Sequence, residues 1–352
     1  MKRERKFSEA IHEALDLSMA ADPAVYVMGL GVPDPKGIFG STLGLQQKYG
    51  EGRVLDMPAA ENGMTGVAIG SALAGMKPVM THQRVDFALL AVEQLVNQAA
   101  KWHYMFGGQK SIPLVVRMII GRGWGQGPQH SQSLQAWFGH IPGLKVVMPA
   151  TPYDAKGLLI SSIEDPNPVI FLEHRWLYDL VGHVPEGLYR VPLGKASILR
   201  GGKDLTIVGV SFMALEALRS AEILRHGGVE AEVIDIRSIR PLDEASILQS
   251  IKKTGHLIVA DTGWRTGGFS AEILARVAEK AWGTLKCPPK RVALPDCPTP
   301  TSHALANRFY PQAGEIVNAA REMLGLPGSI LAMARKSPVP QDIPDLGFTG
   351  PF

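Results

Sequence analysis

Cysteine is almost missing from this sequence: Cys287 and Cys297 are the only two in 352 residues. That excludes a disulfide framework and leaves two lone thiols in a reducing compartment as the expectation, with one bridge as the alternative. Long apolar runs are missing as well. No stretch of about 18 uncharged apolar residues occurs, so no membrane-spanning helix is expected. The opening Met-Lys-Arg-Glu-Arg-Lys-Phe has no apolar centre of the kind a secretory signal needs. Charge of one sign is scarce: 36 Lys and Arg against 33 Asp and Glu leave a formal +3, evenly spread. That balance argues against nucleic acid or an anionic membrane as partner. The expected location is cytoplasmic, or an organelle matrix if a targeting segment has been removed.

Familiar nucleotide and hydrolase motifs are missing too, although glycine is plentiful at 38 residues. Gly121-Arg-Gly-Trp-Gly-Gln-Gly127 lacks the last glycine of a G-x-G-x-x-G fingerprint and runs into Pro128. There is no G-x-x-x-x-G-K-[ST], no H-E-x-x-H and no G-x-S-x-G. Gly209-Val-Ser211-Phe-Met213 comes nearest to a nucleophile elbow, but Met213 stands where glycine is needed, so Ser211 is expected to cap a helix. No two histidines lie three or four residues apart, which removes the usual helical zinc pair.

What is present is a regular alternation of short apolar strands and helices of 10 to 20 residues, the pattern of α/β units on a mainly parallel sheet. A capped helix is expected from Ser8 to about Ala21 and a strand at Ala24–Leu30. A loop rich in Gly and Pro, a helix near Leu43–Tyr49 and a strand at Arg53–Met57 follow. A long helix is expected from Phe87 to Met105, and another opening at His130. The rhythm breaks between Trp176 and Arg200, which suggests two domains, 1–190 and 191–327, followed by a tail rich in Pro and Gly, 328–352.

One stretch stands out. Glu61 is the only acidic residue between Asp56 and Asp86, and it opens a helix of small residues containing Gly63, Gly66 and Gly70, with Gly75 just beyond. Each glycine weakens a helix by up to ~1 kcal/mol relative to alanine. A segment that tolerates this is expected to lie against a neighbouring backbone or a ligand, with Glu61 as a buried functional acid.

The blocks Glu61-Asn-Gly-Met-Thr-Gly-Val-Ala-Ile-Gly, Gln94-Leu-Val-Asn-Gln-Ala-Ala-Lys and Gly127-Pro-Gln-His-Ser-Gln-Ser133 occur in this order. His140-Ile-Pro-Gly-Leu-Lys-Val-Val-Met-Pro, Thr151-Pro-Tyr-Asp-Ala-Lys-Gly-Leu-Leu and Asp165-Pro-Asn-Pro-Val-Ile-Phe-Leu-Glu follow. Together they resemble the beta chain of the thiamine-diphosphate-dependent 2-oxo acid dehydrogenases, the family of the pyruvate, branched-chain 2-oxo acid and acetoin enzymes. The likeness covers nearly all of 4–325. It implies a pyrimidine-binding α/β domain followed by a transketolase C-terminal-like α/β domain. It also implies decarboxylation of a 2-oxo acid, or cleavage of acetoin, with transfer of the acyl group to lipoamide.

The resemblance assigns roles residue by residue. Glu61 would hydrogen-bond the cofactor's pyrimidine nitrogen and so activate it, a task suited to a dry, fixed carboxylate. Phe87 would lie against the pyrimidine face, with Gln83 near the same ring. His130 would be the active-site histidine that orients substrate or serves acyl transfer. A structural potassium ion would be held largely by main-chain carbonyls at Ile112, Leu114, Val115, Ser162, Asp165 and Asn167. Single-chain thiamine enzymes bind the diphosphate through Mg²⁺ with Gly-Asp-Gly and a later Asn-Asn, and this sequence has neither. The family pattern therefore implies an alpha chain carrying the diphosphate half, two alpha and two beta chains in all, and a lipoyl-bearing acyltransferase as a further partner. Arg84 departs from the pattern, standing where many relatives carry an aromatic. It can pair with a substrate acid, with a neighbouring chain's carboxylate, or in a surface ion pair. Two rival readings stay open: a split transketolase-like half-enzyme that moves ketol units, and a scaffold that has lost the chemistry.

Overall fold

The computed structural model describes residues 3–34, 36–123 and 125–326, so the Pro- and Gly-rich tail expected at 328–352 lies outside the described residues. The chain divides into two compact units. One comprises Met1–Gly121 and Gln129–Leu193, and the other Arg122–Pro128 and Gly194–Phe352. The excursion of 122–128 into the second unit has no counterpart in a single boundary near Val191.

In the first unit the elements run β1 (Glu4–Lys6), α1 (Phe7–Ala21), β2 (Val25–Met28), α2 (Leu45–Tyr49), β3 (Val54–Leu55), α3 (Glu61–Leu73), β4 (Lys77–His82) and α4 (Val85–Ala88). They continue as α5 (Trp102–Met105), β5 (Val115–Ile120), α6 (Gln135–His140), β6 (Lys145–Val147), α7 (Pro152–Glu164), β7 (Val169–His174) and β8 (Val181–His183). Its main sheet is parallel, with neighbours in the order β6-β7-β5-β4-β2-β3. All six residues of β5 and all six of β7 are buried, as expected of central parallel strands covered on both faces. β1 and β8 form a separate antiparallel ribbon.

Two charged residues interrupt these apolar strands, and they pair with each other. Arg117 Nε donates to Glu173 Oε1 at 2.6 Å and Arg117 NH2 to Glu173 Oε2 at 2.9 Å, while NH2 also reaches Ser41 Oγ at 2.9 Å. The Tyr178 hydroxyl donates to Glu173 Oε2 at 2.5 Å.

Several local expectations are corrected. Helix α1 starts at Phe7: the Lys6 N–H is taken by Glu9 Oε2 at 2.8 Å, and Ser8 donates to the Tyr178 carbonyl at 3.1 Å instead of capping. The long helix expected over Phe87–Met105 is broken into α4, a 3₁₀ turn at Leu89–Ala91, a π turn at Gln94–Ala99 and α5. Its residues favour helix, but a π turn takes an extra residue per turn, and this one lays Gln94 on Gly66 of α3. No helix opens at His130. The Gln132 carbonyl is taken by the Gly121 N–H at 3.3 Å, 131–134 form no regular element, and α6 begins at Gln135. The α3 glycines are not explained by packing among the described residues. A Cβ at Gly63 or Gly70 would meet nothing within 4 Å, and one at Gly66 would meet only Gln94, at 3.6 Å and beyond.

The second unit contains β9 (Ser197–Arg200), β10 (Leu205–Gly209), α8 (Phe212–His226), β11 (Ala231–Asp235), β12 (Ser238–Arg240) and α9 (Glu244–Thr254). It continues with β13 (Leu257–Trp264), α10 (Phe269–Ala281), β14 (Lys290–Leu294), α11 (His303–Phe309) and α12 (Ala313–Met323). Its sheet has the order β14-β13-β10-β11-β9, parallel except for β9. Ser211 stands at the N-terminus of α8 but makes no side-chain capping bond. Its φ of 52° belongs to the tight elbow in which a Cβ on Gly209 would lie 2.3 Å from Ala214 Cα. Both cysteines are free thiols.

Candidate active site

In open parallel sheets ligands bind beyond the carboxyl ends of the strands. In the first unit that edge carries the polar end of β4, Thr81-His82, and the start of α3. Glu61 is the first residue of α3 and only 8% exposed. Thr65 Oγ1 donates to its main-chain carbonyl at 2.7 Å and touches Met80 Sδ of β4, which ties this turn to the sheet. The Glu61 carboxylate makes no hydrogen bond or ion pair among the described residues. The residue is buried as a whole, yet its carboxylate oxygens are not among the buried atoms that lack a partner, so they stay open to a donor brought from outside.

Gln83 follows β4 directly. Its Nε2 donates to the Leu30 carbonyl at 3.0 Å, and a Cβ on Gly31 (φ +73°) would come within 2.7 Å of that nitrogen, so glycine is required there. Phe87, in α4, packs its ring 5.3 Å from the His130 ring at 59°. His130 Nδ1 lies 2.7 Å from the Gln129 carbonyl. Facing a carbonyl, Nδ1 carries the proton, and Nε2 is the acceptor available to a ligand. Phe87 and His130 thus meet, with Gln83 at the end of β4 just before α4, and Glu61 opens α3, which is tied to β4 through Thr65 and Met80.

The candidate potassium residues lie at the opposite edge, ahead of β5 and β7, and their polar groups are engaged. Leu114 N–H donates to the Ile112 carbonyl at 2.8 Å, Val169 N–H to Leu114 at 2.9 Å and Asp165 N–H to Ser162 at 3.3 Å. Val115 is the first residue of β5. Asp165 takes the Lys145 ammonium on Oδ2 and the Asn167 N–H at 2.9 Å on Oδ1.

Arg84 is not in a surface ion pair. It is 3% exposed, donates from NH1 to the Gly121 carbonyl at 2.7 Å and lies over the Phe39 ring, which Arg175 also faces at 4.4 Å. His174 packs on Gly121, and burial together with the Arg84 charge pushes its imidazole down to about 3.

Sequence reasoning missed a set of buried polar atoms around the same edge. Thr81 Oγ1, His82 Nε2, Asp86 Oδ2, Ser131 Oγ and Ser133 Oγ have no hydrogen-bond partner among the described residues. Burial alone pushes His82 down to about 4, so it is a neutral imidazole. Burial also pushes the Asp86 carboxyl up, opposed by hydrogen bonds from Gln132. The signal that could have found them is the run Thr81-His-Gln-Arg-Val-Asp86 at the end of an apolar strand, together with the polar loop His130-Ser-Gln-Ser133. Among the described residues no group of three or more His, Cys, Asp and Glu could hold a metal ion.

Two domains of transketolase type account for this arrangement. Residues 3–180 match the transketolase pyrimidine binding domain, and 194–316 the transketolase C-terminal domain. The chain belongs to the beta-subunit family of the thiamine-diphosphate-dependent 2-oxo acid dehydrogenases. It is 43% identical over 334 residues to the acetoin:2,6-dichlorophenolindophenol oxidoreductase subunit beta of Cupriavidus necator, covering 92% of this chain and 98% of the relative. It is 42% identical over 323 residues to the mitochondrial pyruvate dehydrogenase E1 component subunit beta-2 of Oryza sativa, covering 91% and 86%. Identity to the Bacillus subtilis acetoin oxidoreductase subunit beta is 41% over 339 residues, covering 93% and 99%. A solved structure titled as a split gene transketolase, inactive beta4 tetramer, aligns with a TM-score of 0.73 at 24% identity, over 91% of this chain and 98% of that one, a likeness of fold. No described helix is long and apolar enough to cross a membrane.

Proposed function

We propose that this chain is the beta subunit of a 2-oxo acid or acetoin dehydrogenase and supplies the pyrimidine half of a thiamine diphosphate site. The observation that carries the reading is Glu61 at a helix start, buried as a residue yet with a carboxylate that takes no donor among the described residues. It fits the cofactor because a protonated or N–H-bearing ring nitrogen is the missing donor, and because the neighbouring orphaned polar atoms mark an edge built around a polar ligand. Once bound, thiamine diphosphate supplies a nucleophilic carbon and an electron sink for decarboxylation. Glu61 holds the pyrimidine and sets its protonation, helped by the α3 dipole, which favours a carboxylate at the N-terminus. Phe87 backs the ring. His130, with Nδ1–H held by the Gln129 carbonyl, accepts or returns a proton at Nε2.

Mg²⁺ and the diphosphate belong to an alpha chain on this reading, since neither Gly-Asp-Gly nor Asn-Asn is present. Open space over Gly63 and Gly70 suits the close approach of a partner subunit. A lipoyl-bearing acyltransferase receives the acyl group. The setting is the cytoplasm or an organelle matrix. A structural potassium ion at Ile112, Leu114, Val115, Ser162, Asp165 and Asn167 is part of the proposal: each carbonyl already used once keeps a second lone pair. The test is turnover of a complex reconstituted with an alpha chain: Glu61→Gln is expected to lower it ~10²–10⁴-fold while assembly is unchanged. Near-normal turnover would overturn the assignment.

A further inference from the structure

The site holds a carboxylate to which the family reading gives no task. Asp86 sits in α4, one residue before Phe87, and its Oδ1 accepts from Gln132 Nε2 at 2.8 Å. Gln132 lies two residues beyond His130 in the irregular stretch that leads into α6. Its carbonyl is held in turn by the Gly121 N–H at 3.3 Å, at the end of β5. The Gln132 main-chain N–H also favours the charged form of Asp86. The loop carrying His130 is therefore fastened at one point to β5 and at another to the helix carrying Phe87. Between Pro128 and Gln135 the loop has no strand and only one short 3₁₀ turn to fix it. The 5.3 Å spacing of the Phe87 and His130 rings spans the same two segments that the Asp86–Gln132 bond joins.

We propose that Asp86 is a positioning residue: through Gln132 it fixes the loop that places His130 Nε2 over the site, and its second carboxylate oxygen, buried and without a partner, takes a donor when the site is filled. The second part follows from the same geometry. Asp86 spends one oxygen on the loop, and the other faces no donor among the described residues. The inference rests on the reading of His130 as an active-site group, but its structural half does not need that reading.

Two measurements separate the possibilities. The first is carbethoxylation of His130 by diethyl pyrocarbonate in the full chain, resolved from the other histidines by peptide mass spectrometry. Asp86→Ala frees the loop, and the His130 rate is expected to change about fivefold or more, as the loss of one hydrogen bond permits. A rate within about twofold of the parent overturns the proposal whatever reaction the complex performs. The second is steady-state kinetics of the complex reconstituted with an alpha chain. Asp86→Ala is expected to lower kcat about tenfold with little change in KM. Gln132→Ala should act in the same direction, and the double variant should be no worse than the poorer single one, because both remove one bond. Asp86→Asn keeps an acceptor for Gln132 and is expected to recover most of the lost kcat. Additive losses, or an Asp86→Asn variant as poor as Asp86→Ala, would overturn positioning through Gln132. If His130 carbethoxylation responds but His130→Ala leaves turnover intact, the functional reading fails and the latch stands.

Discussion

Two buried glutamates in the first unit sit in opposite circumstances. Glu173, fully buried in β7, receives three hydrogen bonds, two from Arg117 and one from Tyr178. Glu61, 8% exposed at the start of α3, receives none on its carboxylate. The contrast extends to the edges of the sheet. Ahead of β5 and β7, Asp165 is bonded to Lys145 and Asn167, and Ser162 Oγ to the Leu158 carbonyl at 2.7 Å. Beyond the other ends of the strands, Thr81, His82, Asp86, Ser131 and Ser133 each leave a buried polar atom without a partner. The comparison sets a carboxylate held by the fold against an edge whose polar atoms lack partners among the described residues, and on the proposed reading that edge takes the ligand.

That comparison breaks if exchanging the two glutamates for glutamine gives the same result. At Glu61 the expected loss is ~10²–10⁴-fold in turnover of the complex, with the unfolding free energy of the chain unchanged or slightly raised. At Glu173 the expected loss is of stability. Glu173→Gln leaves the fully buried Arg117 guanidinium without its counter-charge, at a cost of ~3–5 kcal/mol, read by denaturant unfolding.

The bare edge should also be visible in acid. The folded-state value of His82, about 4, lies below the 6.5 of the unfolded chain. Between these values the unfolded state binds the proton and the folded state does not, so stability is full above pH 6.5 and falls as pH drops towards 4. The span corresponds to roughly 3 kcal/mol. About 2 kcal/mol of that span falls between pH 7 and pH 5, and His82→Phe should remove it while the His174 share stays, as measured by unfolding at those two pH values. An unchanged pH dependence would show that His82 is not held neutral by burial. The smallest effect is expected at the satisfied edge: replacing K⁺ by Na⁺ at constant ionic strength should lower Tm by about 2–4 °C, and no shift would remove the potassium site from the account.

Much of the architecture was legible because strand and helix periods are local properties. β5 and β7 are mainly apolar runs, α7 opens with a Thr151 cap and Pro152, and α9 opens with an Asp243 cap. Glu61 stood out because it is isolated in an otherwise uncharged segment. What escaped depends on pairs distant in the chain. The turns that replace one long helix, the irregular stretch after His130 and the burial of Arg84 involve neighbours, Gly66, Gly121 and Phe39, which no local pattern connects to them. Asp86 was passed over for the same reason: its significance lies in Gln132, 46 positions away.

The central claim, that this chain holds half a cofactor site, is tested most directly by calorimetric titration with thiamine diphosphate and Mg²⁺. Three samples are needed: the lone chain, the complex reconstituted with an alpha chain, and that complex carrying Glu61→Gln. The account predicts binding by the parent complex, no measurable binding by the lone chain, and weaker binding by the Glu61→Gln complex. Binding by the lone chain equal to that of the complex, or no binding by the complex, would contradict it.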